Sequence, residues 1–155
     1  MSENPQDGSR PTVVLVHGAF AESASWNDVI VRLQAQGYTV IAAADPIRSV
    51  SGDAEFVASI FEAVEGPIVA VGHSYGGTVI TNALRDNVKA LVYVAGYAPE
   101  EGENALELSA RFPGSTLGDT LWTVPAGARE VVGIEGSSHP DEVADMILRA
   151  LKDVE

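Results

Sequence analysis

VGHSYGGTV, residues 71–79, sets a single serine between glycines, at the end of an apolar run and ahead of a helix-forming stretch. Its centre reads G-x-S-x-G at Gly72, His73, Ser74, Tyr75 and Gly76, and Gly77 follows. A main chain that reverses sharply between strand and helix needs residues without a Cβ wherever its two arms touch, and it leaves the central side chain projecting. The helix that follows points its first N–H groups at that side chain, where developing negative charge would be stabilised. The pattern predicts a nucleophilic serine at position 74. Two alternatives remain, a phosphate-binding turn and a plain tight turn. The first is the poorer fit, because G-x-G-x-x-G would need glycine at position 74 and no Walker lysine follows.

Working outward, five apolar, β-branched runs bounded by turn residues read as strands: residues 12–17, 38–43, 68–72, 89–95 and 130–134. None alternates strictly, which suits strands covered on both faces of a parallel sheet. Between them the spacing becomes helical. Trp26, Val29, Ile30 and Leu33 form one stripe, behind a capping-box pattern of Ser25 and Asp28 and stopped by Gly37. Phe56, Val57, Ile60, Phe61 and Val64 form a second, closed by Gly66 and Pro67. Val143, Met146, Ile147, Ala150 and Leu151 form a third after Pro140, and a further helix starts after Ser74. The order predicts an α/β, three-layer sandwich with a mostly parallel sheet of about five or six strands and right-handed crossovers. Residues 100–128 mix a short helical piece with turn residues and a short strand near 121–124.

Composition narrows the function. The 155 residues, 46% hydrophobic with a net charge of −13 and no cysteine, suit one globular domain over 11–155 behind a disordered polar tail at 1–10. The absence of cysteine removes disulfides and thiolate chemistry and fits a reducing compartment, so the expected location is cytoplasmic. The acidic balance, without a basic patch, argues against nucleic-acid and membrane partners. No cofactor is expected, and no metal either, since no H-E-x-x-H pair is present. A monomer or homodimer is expected.

A second stretch converges on the first. VVLVHGAF ends an apolar run in His17, Gly18, Ala19 and Phe20, the H-G loop that supplies an oxyanion-hole donor in hydrolases of this architecture. Together with GHSYGG, YVAGYAP and SSHPDEVADMIL it resembles the alpha/beta-hydrolase superfamily, nearest to small cofactor-free bacterial esterase-like members. The resemblance runs over residues 11–113 and 127–151 and implies a reduced form of that fold. It implies that the backbone N–H groups of Ala19 and Tyr75 form the oxyanion hole and that Phe20 lines the acyl pocket, a core or semi-exposed aromatic being the alternative.

The usual order of serine, acid and histidine places the base at His139, ahead of the last helix. His73 should point away from Ser74, and His17 suits a structural hydrogen bond. SSHP also resembles a segment lying beyond the catalytic histidine in relatives with a second S-H-P. The acid stays open. Only WTVPA separates PGSTLGDTL from GAREVV, where the resembled family carries a cap and an acid-bearing strand. Asp119 is the first candidate, the cluster Glu100, Glu101 and Glu103 the second, and no working acid the third. The function expected is a carboxylesterase-type serine hydrolase that cleaves small uncharged esters through an acyl-enzyme. The alternatives are lyase or other acid/base chemistry on the same scaffold, or a non-catalytic, shortened binding domain.

Overall fold

Val13, Val14, Leu15 and Val16 are all fully buried, so side chains pointing to opposite faces of this strand both meet cover. The computed structural model describes residues 10–100, 103, 111 and 140–154, and the backbone of 122–126 and 129–133. In it, β1 (Thr12–Val16) lies between β2 (Val40–Ala43) and β3 (Ile68–His73), and β4 (Val88–Val94) extends the sheet beyond β3. All these pairings are parallel, giving the order β2-β1-β3-β4.

The chain steps from β1 to β2 in one direction, then passes back over β1 to reach β3. Right-handed crossovers therefore put the connecting helices on opposite faces. A single 3-10 turn (Ser23–Trp26) and helix α1 (Asn27–Ala35) cover one face. Helices α2 (Val50–Ala63) and α3 (Tyr75–Asn82) cover the other. The last helix, α4 (Pro140–Lys152), packs beside α1 against β3 and β4. The two cores are separate: Val13, Leu15, Leu33, Val71, Ile147 and Leu151 belong to one, and Val14, Val16, Val57, Phe61, Ala70 and Ile80 to the other. Burying a side chain such as Phe61 contributes about 1.5–3 kcal/mol.

The α/β, three-layer architecture with a parallel sheet matches the reading from sequence. The sheet has four strands among the described residues rather than five or six. Residues 130–134, expected to join it, lie largely in β6 (Arg129–Gly133), which pairs antiparallel with β5 (Trp122–Ala126) in a separate hairpin. Only two residues separate these strands, and a two-residue connection can join antiparallel but not parallel neighbours.

Two smaller readings also change. Ser25 does not cap α1, because its hydroxyl donates to the Glu22 carbonyl at 2.6 Å within the 3-10 turn. Tyr38 precedes β2, and its N–H bonds the Leu33 carbonyl just after Gly37, which takes φ +84°. Ser49 caps α2, its hydroxyl accepting from the Gly52 N–H at 3.2 Å. Arg10 donates to the Gln36 carbonyl and lies over the Tyr38 ring, while residues 1–9 fall outside the described part. Among the described residues no helix is long and apolar enough to cross a membrane.

Candidate active site

The reversal of strand order falls between β1 and β3, and in open α/β sheets ligands bind beyond the carboxyl ends of strands at such a point. Gly18 stands two residues past the end of β1, and Ser74 follows β3 directly. Ser74 takes φ 51° and ψ −118°, a conformation that costs a residue with a side chain about 1–3 kcal/mol.

The surrounding glycines show what holds it there. A Cβ on Gly72 would come within 2.5 Å of Gly76 and Gly77 main-chain atoms, and one on Gly76 would overlap the Val16 carbonyl and lie 2.8 Å from that of His17. A Cβ on Gly18 would lie 3.0 Å from the Ser74 Cβ, so the H-G loop packs directly on the serine.

The peptide joining Ser74 to Tyr75 is clamped. Its carbonyl accepts the Gly77 N–H at 3.0 Å and the Tyr97 N–H at 3.2 Å. Because a trans peptide directs its C=O and N–H oppositely, this clamp aims the Tyr75 N–H the other way. Tyr75 is the first residue of α3, where an N–H has no acceptor within the helix. Ala19 stands half-buried next to Gly18, and Phe20 is 39% exposed. That exposure removes a core position for Phe20 and fits both a pocket-lining and a semi-exposed aromatic. Two open surface grooves, of about 580 and 670 Å³, lie elsewhere, beside α2 and α3 and beside α4.

The histidines divide as follows. His17 is 3% exposed, and its Nδ1 lies 3.0 Å from the Gly18 carbonyl, a partner that fixes the loop. His73 meets Trp26 edge-on with ring centroids 6.4 Å apart, and burial, then nearby His17, holds its pKa below the ordinary value. His139 and Asp119 lie outside the described residues, as does Glu101. Of the alternative acids, Glu103 pairs with Arg111 at 2.7 Å and accepts the Glu100 N–H at 3.0 Å. That backbone bond, followed by Arg111, keeps its pKa low, and Glu100 is exposed.

Beneath the elbow lies a polar cluster that the sequence reading missed. Asp53, 1% exposed in the first turn of α2, accepts the Tyr75 hydroxyl at 2.7 Å and the Arg48 N–H at 3.0 and 3.1 Å. Burial, then this bond to Asp53, raises the Tyr75 phenol well above its usual range. Asp45, 5% exposed just past β2, has no hydrogen-bond partner on either carboxylate oxygen. Burial and then the charge of Asp53 push its pKa up to about 6. The Ile47 backbone and His17 act in the opposite direction, the former without completing a hydrogen bond. One signal for Asp53 was available: it stands four residues before Val57 and eight before Phe61, on the buried face of that helix. Among the described residues no three acidic or histidine side chains are grouped to hold a metal ion.

Known proteins share the family and the fold. The sequence profile described as the alpha/beta hydrolase family matches residues 13–149. A probable hydrolase, R7, of Phoma sp. is 29% identical over 113 residues, 62% of this chain and 46% of that protein. A carbendazim-hydrolyzing esterase of Nocardioides sp. is 30% identical over 110 residues, 61% of this chain and 46% of that protein. A crystal structure of the pyrethroid hydrolase PytH superposes with a TM-score of 0.62 at 24% identity, over 74% of this chain and 53% of that one. The chain thus spans about half the length of the relatives it matches.

Proposed function

The chain belongs to the alpha/beta hydrolase family, and we propose that within it the protein is a serine hydrolase that cleaves small, uncharged carboxylic esters through an acyl-enzyme. The observation that carries this reading is Ser74 itself, held at φ 51° on a glycine-walled turn in contact with the H-G loop. A hydroxyl on such a turn would project where the strand order reverses, and the relatives include a probable hydrolase and an esterase.

In this reading Ser74 attacks the ester carbonyl while His139 takes its proton. The Ala19 and Tyr75 N–H groups hold the resulting oxyanion, and His139 returns the proton to the leaving alcohol. Water then repeats the sequence on the acyl-enzyme. Asp119 is the proposed orienting acid, since Glu103 is already engaged by Arg111 and the Glu100 N–H. Phe20, exposed beside Ala19, would face the acyl group. A net charge of −13 disfavours anionic substrates. The engagement of Glu103 also favours a second reading, a hydrolase-like binding domain without a working acid.

Hydrolysis of p-nitrophenyl acetate and butyrate, with labelling by a fluorophosphonate, separates the two. The enzyme reading expects turnover and a label on Ser74, both lost in Ser74→Ala. Unchanged turnover in that variant refutes it, and ester-dependent thermal stabilisation without a label supports the binding domain.

A further inference from the structure

We infer that Asp53 is a positioning residue for the proposed hydrolysis, acting through the Tyr75 side chain to hold the Tyr75 N–H on the oxyanion; this rests on the serine-hydrolase reading. The peptide that carries this N–H is bounded by a strained residue. Ser74 at φ 51° and ψ −118° gains by relaxing, and rotation about its ψ turns the whole peptide plane. On the carbonyl side two N–H donors resist that rotation, those of Gly77 and Tyr97. On the other side the resistance comes from the Tyr75 side chain, whose hydroxyl donates to Asp53 at 2.7 Å.

Asp53 is fitted to act as a fixed post. It is 1% exposed, its own N–H bonds the Ser49 carbonyl at 2.9 Å, and both its carboxylate oxygens accept the Arg48 N–H. A buried carboxylate holding a phenol and a backbone donor has little freedom, and charge-assisted bonds of this kind are about twice as strong as neutral ones. Nothing in ester hydrolysis requires a phenol at position 75 if only its backbone takes part. The side chain nevertheless reaches an acid on another helix, 22 residues earlier in the chain.

A complete loss of one oxyanion donor costs about 100- to 1000-fold in kcat, and a misaimed one should cost less, about 10- to 100-fold. The test is a double-mutant cycle of Asp53→Ala, Tyr75→Phe and the pair, on p-nitrophenyl butyrate, with each sample normalised to the fraction labelled by fluorophosphonate. Each single variant is expected to lower kcat about 10- to 100-fold with KM within about twofold, because the contact forms in the transition state. The double variant should lose no more than the worse single one, since both remove the same bond. Asp53→Asn, which keeps an acceptor, should recover part of the loss. Wild-type kcat in Tyr75→Phe, or losses that multiply in the pair, overturns the inference while leaving the nucleophile in place. A wild-type protein that takes no label and turns over no ester overturns both.

Discussion

Asp45 offers a test in which the buried cluster reports on itself. Its carboxyl is 5% exposed, has no hydrogen-bond partner, and titrates at about 6 instead of 3.8. Between those values the folded protein keeps a proton that the unfolded chain has already released. Stability therefore falls as pH rises through this window: the effect is absent below the unfolded value and complete above the folded one. At about 1.36 kcal/mol per unit, the whole effect approaches about 3 kcal/mol, with about 2 kcal/mol falling between about pH 4.5 and pH 7.5. Asp45→Asn cannot ionise, so its stability should not show this component. Other titrating groups are common to both proteins and cancel in the comparison, apart from Asp53 and His17, whose opposing interactions with Asp45 are part of what is measured. Urea unfolding of both proteins at the two pH values gives the double difference directly. The wild type should lose about 1–3 kcal/mol relative to Asp45→Asn on raising the pH. Parallel curves for the two proteins would show that Asp45 ionises as freely in the fold as outside it.

Further expectations concern the elbow. Ser74→Gly and Ser74→Ala should both abolish ester hydrolysis, but the glycine variant should be the more stable by about 1 kcal/mol, because it removes the cost of φ 51°; equal denaturation midpoints would argue that no strain is stored. Gly76→Ala should destabilise by about 1–3 kcal/mol or more and remove fluorophosphonate labelling, since the new methyl overlaps the Val16 carbonyl, main chain that cannot swing aside. Wild-type labelling and stability in that variant would contradict the packing of the elbow on the H-G loop.

The frame of the molecule was open to reading because burial imposes simple periods. The runs at 12–17 and 68–72 lack alternation because both faces of β1 and β3 are covered, and the stripe from Trp26 to Leu33 faces one core. The elbow was legible for a related reason. Gly72 and Gly76 stand where a Cβ would collide with main chain, so the glycines themselves encode the contact.

What escaped reading depends on partners distant in sequence or on local competition. Ser25 had two carbonyl or N–H partners within reach, and spacing does not say which it takes. The strand at Arg129–Gly133 carries a pattern suited to either kind of ladder, and its neighbour Trp122–Ala126 decides for the antiparallel one. Asp53 meets Tyr75 only once α2 and α3 lie side by side. His139 and Asp119 fall outside the described residues, and as proposed base and acid they rest on the sequence alone.

The seating of α4 has a consequence for how the chain reaches this state. Val69, Val71 and Val92 form one sheet face whose cover includes Ala144, Ile147 and Leu151, supplied some fifty residues or more after the last of those strands. During synthesis α1, α2 and α3 can pack while the part of the opposite face over β3 and β4 still lacks α4, so a ribosome-bound intermediate would leave that apolar strip uncovered. Its vulnerability to clumping should end only when the final helix emerges and docks.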